Sequence, residues 1–154
     1  MEDLIVQRRV IRVAPKNQWQ FVSLTDMAKV KSIDTSTVIN NWLNTKRTIN
    51  FLGAWEGEHN PLAFNPVESN RIKTKIGTAR GRVSVGKWIK ATGAIGIETI
   101  AGRYGGTFAV LEIATEFASW LAPEFKVAFN AEVADSAEWD KRLEFVRLSY
   151  EHSD

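Results

Sequence analysis

Residues 95–125 of the chain read IGIETIAGRYGGTFAVLEIATEFASWLAPEF, and their order of residue types decides the fold. The β-branched residues over 95–101 predict one strand, and residues 107–110 predict a strand that returns beside it. The glycines between them accept the positive φ angles that a tight reversal requires. The stretch therefore predicts a β-hairpin. Its tip contains Gly102, Arg103, Tyr104, Gly105 and Gly106.

A helix is predicted directly after this hairpin, because apolar residues recur there at spacings of three and four. Pro123 cannot lie inside that helix, but it fits the first turn of a following one. The hairpin is therefore expected to rest on an apolar helix. The residues that form the apolar stripe are Leu111, Ala114, Phe117, Ala118 and Leu121.

The hairpin tip carries a cation and an aromatic ring between glycines. Arg103 and Tyr104 are expected to project outward, and the glycines let the backbone approach another surface closely. A hairpin of this kind beside a basic helix is typical of winged DNA-binding proteins, in which the wing enters a groove and the helix contacts phosphate. A plain turn that needs glycine for its geometry alone is the alternative explanation.

Positive charge is concentrated in the middle of the chain. The 154 residues have a net charge of only +2, but residues 71–110 contain eight Lys and Arg against Glu98 alone, which is +7. The preceding 70 residues carry +1 and the following 44 carry −6. Such a block is the electrostatic pattern of a polyanion-binding surface, although clustered solvent-facing charges would look the same. The cations are Arg71, Lys73, Lys75, Arg80, Arg82, Lys87, Lys90 and Arg103.

Two helices are predicted inside this basic block. Asn65-Pro66 is a strong helix start, and that helix is expected to reach Ile76 before Gly77. After a basic loop over residues 78–82, a Ser cap predicts a helix over residues 85–92. This second helix carries Lys87 and Lys90 and immediately precedes the hairpin.

The N-terminal half is predicted to contain strands followed by helices. The strands are expected at residues 4–6, 10–13 and 19–22, with turns at 7–9 and 15–18, and the helices at 26–30, after Thr35, and from Thr45–Thr48 to Gly57 or Asn60. Trp42 is expected in the core, because its neighbours at helical spacing are apolar.

The last segment is predicted to be an acidic amphipathic helix over residues 135–154. Its apolar stripe has to be buried, either against the rest of the domain or in a homodimer. The stripe consists of Trp139, Leu143, Val146 and Tyr150.

The stretch GRYGGTFA, followed by EIATEFASWLAPEFK, resembles the signature of the KilA-N domain family. Upstream segments agree with the family in the same order: SLTDMA from Ser23, NWL from Asn41, TINFLGAW from Thr48, and KWI from Lys87. The resemblance covers about residues 4–130. KilA-N domains occur in phages, bacteria and large DNA viruses and are related to the fungal APSES DNA-binding domain.

The resemblance implies an α+β domain over residues 1–134, with a small antiparallel sheet, several helices and a winged helix-turn-helix-like hairpin. It implies that helix 85–92 is the second helix of that unit and that residues 97–110 are the wing. One departure is visible, since Val110 stands where the family usually has His. Any role of that His therefore cannot be transferred.

Other classes of site find little support in the composition. The chain has no Cys and only two His, His59 in an expected loop and His152 near the C-terminus. This inventory argues against a disulfide framework, a zinc site or a Ser-His triad, and no cofactor is predicted. No apolar run approaches the ~20 residues of a membrane span, and the acidic N-terminus is unlike a signal peptide. We therefore expect a cytosolic protein without membrane association.

The predicted function is recognition of double-stranded DNA by a regulator of phage or prophage type, not catalysis. The predicted contacts are the wing tip and the basic helix, with a broader field of cations around them. Two alternatives remain open: a protein–protein interaction module, and a metal-dependent nuclease, which needs several converging carboxylates. The predicted site residues are Lys73, Lys75, Arg80, Arg82, Lys87, Lys90, Gly102, Arg103, Tyr104, Gly105 and Gly106.

Overall fold

The computed structural model describes residues 2–136 and has the α+β fold that the sequence predicts. Within these residues there are two small antiparallel sheets and seven helices. The strands are β1 (Leu4–Val6), β2 (Arg9–Ile11), β3 (Val13–Lys16), β4 (Trp19–Ser23), β5 (Ile97–Ile100) and β6 (Gly106–Val110). The helices are α1 (Leu24–Ala28), α2 (Thr35–Leu43), α3 (Lys46–His59), α4 (Pro66–Lys75), α5 (Val85–Thr92), α6 (Leu111–Leu121) and α7, whose described part covers residues 123–136.

The larger sheet joins two hairpins that are distant in the chain, β3–β4 and β5–β6. Its strand order is β3-β4-β6-β5, and β1 and β2 form a separate hairpin. Strand β6 pairs with β4 through Val22 and Ala109, and with β5 through Ile97 and Ala109. The predicted hairpin of residues 95–110 is thus the β5–β6 pair. Strand β6 lies inside the sheet and β5 is an edge strand.

The core lies between this sheet and the helices. Helix α6 buries four of the five residues of the apolar stripe predicted for it and partly buries Leu111. Phe117 packs edge-on against Trp42 with ring centroids 4.9 Å apart. Trp42 is 1% exposed, which confirms its predicted place in the core. Trp88 of α5 is fully buried, so the basic helix is anchored by one aromatic side chain while its lysines stay in solvent.

Local signals located several helix ends correctly. Helix α5 spans the predicted residues, with Ser84 accepting a hydrogen bond from the backbone N–H of Lys87 and Gly93 ending the helix at φ 72°. Asn65 likewise caps α4 by accepting from two backbone N–H groups. Pro123 lies at the start of α7, as its missing N–H requires.

Other boundaries were predicted wrongly. The expected strand 10–13 is divided between β2 and β3, and β3 continues through Pro15, where a turn was expected. An edge strand tolerates proline because one side of its backbone has no partner, and β3 is an edge. Helix α1 begins two residues earlier than predicted, directly after its Ser23 cap. Helix α3 passes through Gly57, so His59 lies in a helix and not in a loop, although the helix does end at the predicted Asn60, which is its C-cap.

The predicted C-terminal helix and its apolar stripe lie outside the described residues, apart from residues 135 and 136, which continue α7. The homodimer hypothesis, which depends on that stripe, therefore stays a prediction. Among the residues that the structure describes, no helix is long and apolar enough to cross a membrane.

Candidate nucleic-acid interface

A cationic groove lies between α4, the loop that follows it, and the start of α5. The groove encloses about 230 Å³. Glu68 is the one carboxylate in its lining, and it lies 3.3 Å from the guanidinium of its neighbour Arg71. We define the cationic groove by its five basic residues, Arg71, Lys75, Arg80, Arg82 and Lys87.

The loop that follows α4 is held in one conformation by two glycines and by Asn44. Gly77 adopts φ 91°, and a Cβ atom on Gly81 would lie 1.6 Å from the carbonyl oxygen of Lys75. Asn44, at the end of α2, receives a hydrogen bond from the backbone N–H of Val83 and donates one to its carbonyl oxygen, both at 2.8 Å. The loop therefore presents its arginines from a defined position.

Most cations of the groove have no anionic partner within residues 2–136. Lys75, Arg80, Arg82 and Lys87 form no ion pair there, although Arg82 donates a hydrogen bond to the side-chain oxygen of Asn41 at 3.1 Å. Glu98, the only carboxylate of the basic block, forms an ion pair with Lys16 of β3. The positive potential of the groove is therefore not cancelled by a neighbouring carboxylate in the described chain, apart from the Glu68–Arg71 pair.

Besides Arg103 at the hairpin tip, two of the predicted cations lie away from the groove. Lys73 is half-buried on another face of α4, where it lines a shallow hollow with Asn50 of α3. Lys90 is exposed on α5, and its side chain does not line the groove. Arg71 does line it but was left out of the predicted site. Its spacing of four residues from Lys75 on one helix was the signal that could have found it.

The tip of the β5–β6 hairpin projects from the sheet. Arg103 and Tyr104 are both exposed, Tyr104 by 78%, and the guanidinium lies 5.6 Å from the tyrosine ring centroid. Gly102 and Gly106 have φ of 104° and 132°. A Cβ atom on Gly105 would lie 2.0 Å from the carbonyl oxygen of Ile100, so this turn excludes any larger residue.

The base of this hairpin tip is held by Arg12, which lies between β2 and β3. Its guanidinium donates hydrogen bonds to the carbonyl oxygens of Tyr104 at 2.5 Å and Gly105 at 3.2 Å. On its other side it pairs with the buried carboxylate of Asp26 in α1. The hydroxyl of Thr25 also accepts a hydrogen bond from the backbone N–H of Thr107 at 2.9 Å. The wing is thus attached to α1 at two points, which sequence reasoning missed because the partners are distant in the chain.

The pKa of Asp26 is lower than its ordinary value. Burial by itself raises it, but the hydrogen bonds and the charge of Arg12, with a smaller contribution from Lys29, outweigh burial. The hydrogen bond to Asp26 raises the pKa of Arg12 in turn. Both groups are therefore charged at neutral pH, and the guanidinium remains available to the wing.

The start of the hairpin is held by a second buried carboxylate. Glu56 of α3 is 1% exposed and accepts hydrogen bonds from the backbone N–H of Gly96 at 2.8 Å and of Ile95 at 3.0 Å. The side-chain amide of Asn60 donates to it as well, at 3.0 Å. Glu56 therefore fixes the connection between α5 and β5, and with it the relation of the basic helix to the wing.

The described residues offer no assembled metal site. Within residues 2–136, no three or more His, Asp and Glu side chains converge as ligands. His59, the single His in that range, stacks on Trp55 and bonds to its carbonyl oxygen at 3.0 Å. The arrangement of these residues provides cations and hydrogen-bond donors on the surface, which suits binding of a polyanion.

Comparison with known proteins identifies the family. The family model of the KilA-N domain matches residues 7–137, most of the chain. The chain belongs to the KilA-N domain family. KilA-N domains are commonly DNA-binding, which supports a DNA-binding role for this chain in general. No curated protein and no solved structure matches it significantly.

Val110, the position at which a departure from the family signature was predicted, is internal. Val110 ends β6, is 2% exposed, and donates its backbone N–H to the carbonyl oxygen of Gly96 at 2.9 Å. A valine side chain satisfies a buried strand position without needing a hydrogen-bond partner.

Proposed function

We propose that the chain binds double-stranded DNA through the cationic groove and the β5–β6 wing, as a cytosolic regulator of phage or prophage type. The observation that carries the proposal is the groove itself. Five cations from two helices and one loop line a single hollow, with one carboxylate among them. A site of that composition favours phosphate oxygens, which accept hydrogen bonds from Lys and Arg.

The wing supports the proposal independently. Its tip is exposed, carries Arg103 and Tyr104, and is fixed at its base by Arg12. A preformed finger loses little conformational entropy on binding, so its contacts contribute more to affinity than those of a mobile loop. Because a cation inserted in the minor groove favours narrow A·T tracts, Arg103 is proposed to give a preference for A·T-rich sites.

The regulatory part of the proposal is drawn from the family, whose members occur in phages, bacteria and large DNA viruses. A regulator has to prefer particular sites over bulk DNA. Selection from a pool of random duplexes should therefore enrich a recurring sequence. A pool that remains unbiased after several rounds would indicate that the chain binds DNA only nonspecifically, and the regulatory part of the proposal would be wrong.

Salt dependence tests the binding itself. Fluorescence anisotropy with a labelled random 30-base-pair duplex would be measured at several salt concentrations. Six phosphate contacts, five from the groove and one from Arg103, predict a slope of log affinity against log salt of about −5. A slope near zero, or binding no tighter than that of a neutral protein of the same size, would overturn the proposal. Duplex cleavage in Mg²⁺ that stops on chelation would indicate a nuclease instead.

A further inference from the structure

The β1–β2 hairpin turns through two residues whose backbone is left-handed. Val6 pairs with Arg9, so Gln7 and Arg8 form a two-residue loop, with φ of 52° and 66°. Such a loop needs positive φ at both positions and is normally built from Asn and Gly. Neither Gln nor Arg tolerates this conformation well, so the turn is held under backbone strain.

The rest of the described chain follows the usual rule. Elsewhere within residues 2–136, positive φ occurs only at residue types that accept it easily. The turn between β3 and β4 uses Asn17, and the other positions are glycines. The strained turn is therefore a local exception in a chain that otherwise puts suitable residues at such positions. The glycines are Gly77, Gly93, Gly102 and Gly106.

Packing does not account for the exception. Leu4, Val6 and Ile11 bury the inner face of the hairpin. Gln7 and Arg8 are exposed, and Arg8 forms no ion pair within the described residues. An Asn-Gly turn would close the same hairpin with less strain, and neither burial nor an ion pair within residues 2–136 calls for an arginine there.

The strained turn is connected to the wing through Arg12. Strand β2 ends at Ile11, and the next residue, Arg12, donates hydrogen bonds to the carbonyl oxygens of Tyr104 and Gly105. Arg12 follows Arg8 by four positions, which at about 3.3 Å each gives a separation of at most ~13 Å. That distance corresponds to roughly four base pairs of duplex. A duplex that touches the wing tip and runs along the β1–β2 hairpin would place a phosphate within reach of Arg8.

We propose that the Gln7–Arg8 turn is a second DNA contact, in which Arg8 binds a backbone phosphate of the duplex that the wing engages. The proposal rests on the DNA-binding function proposed above. The guanidinium pairs with phosphate oxygens through two parallel hydrogen bonds, which glycine or asparagine at this position cannot supply. Strain retained at an exposed cation is typical of a residue kept for binding rather than for folding.

Arg8→Gly tests this contact, because it changes stability and binding in opposite directions. Glycine relieves the left-handed backbone, so the urea midpoint of unfolding should rise. The loss of one phosphate contact should make the slope of log affinity against log salt less negative by about 0.9. Arg8→Lys keeps the charge and the strain, so its salt slope should stay near that of the unmodified protein.

Two further variants separate the possible outcomes. Lys126→Gln removes one charge from α7 and should leave the salt slope unchanged. Lys87→Ala reports on the cationic groove. If Lys87→Ala makes the salt slope less negative and Arg8→Gly does not, the proposed phosphate contact of Arg8 is overturned while the DNA-binding proposal stands. If the unmodified protein shows no salt-dependent binding, both proposals fail. A lower urea midpoint for Arg8→Gly would give the arginine a structural role and would also overturn the inference.

Discussion

The guanidinium of Arg12 and the carboxylate of Asp26 form a two-point ion pair, with Nε 2.9 Å from Oδ2 and Nη2 3.1 Å from Oδ1. The backbone N–H of Arg12 donates to the same carboxylate at 2.9 Å. Because the guanidinium also donates to the wing, this pair links the first hairpin, α1 and the wing tip. The position of the wing tip thus depends in part on this buried carboxylate.

Arg12→Met should reduce the unfolding free energy by roughly 2–3 kcal/mol at pH 7. That is below the range for a fully buried pair, because the Arg12 side chain is 31% exposed while Asp26 is 7% exposed. In the native protein the pKa of Asp26 is lowered, so the pair's stabilisation is present above pH ~4 and is lost as the pH falls through the lower folded pKa. In the variant the side-chain hydrogen bonds and the charge of Arg12 no longer lower that pKa, while the hydrogen bond from the backbone N–H of residue 12 remains. The difference in unfolding free energy between the native protein and the variant should therefore become smaller as the pH falls.

Urea unfolding at pH 7 and at about pH 3, below the ordinary pKa of an aspartate, measures this gap. Arg9→Met is a suitable control, because Arg9 is exposed and one cation is lost in both variants. A gap that stays constant or widens in acid would contradict the role assigned to Asp26. The Arg12 variant should also bind DNA more weakly than the Arg9 variant, since only the former releases the wing tip.

Glu56→Gln should lower the unfolding free energy by roughly 1–3 kcal/mol. The carboxylate accepts from two backbone N–H groups and from Asn60, whereas a glutamine offers one oxygen and places an NH₂ group against a donor. Thermal or urea unfolding provides the measurement. Glu58→Gln, an exposed change on the same helix, should be close to neutral. Equal stability of the two variants would mean that Glu56 does not hold the hairpin connection.

The parts of the fold that were predicted correctly are those set by neighbours in the sequence. Helix α5 was located because Ser84 and Gly93 act on adjacent backbone groups, and the hairpin was located because its glycines lie in the turn itself. The strand through Pro15 was missed because its edge position depends on the strand order of the whole sheet.

The candidate site was only partly visible in the sequence for the same reason. Charge counting found the basic block, but it could not separate Lys73, which faces α3, from Lys75, which lines the groove. The supports of the site join residues that lie far apart in the chain. Asn44 and Val83 are 39 positions apart, and Glu56 and Gly96 are 40 apart. No local pattern reports such pairs.

Gly105→Ala should distort the wing, because its Cβ would lie 2.0 Å from the backbone carbonyl oxygen of Ile100. Backbone cannot move aside as a side chain can, so we expect a lower unfolding midpoint and weaker DNA binding. Gly57→Ala is the matched control, since nothing lies within 4 Å of its Cβ and it is inside α3. The control should gain about 0.5–1 kcal/mol in stability from the better helix former. Native-like binding by Gly105→Ala would contradict the role of the wing.

Lys87→Ala and Lys73→Ala distinguish the cationic groove from the basic block as a whole. Lys87 lines the groove and is exposed. Its loss should therefore make the salt slope less negative by about 0.9 and weaken binding to all DNA sequences alike. Lys73 lies on another face of α4, half-buried beside Asn50, so its loss should leave the slope close to that of the unmodified protein. Both changes remove one charge, and anisotropy titrations at two salt concentrations compare them directly. Equal slopes for the two variants would indicate that the whole basic block attracts DNA, and would contradict the assignment of the phosphate contacts to the groove.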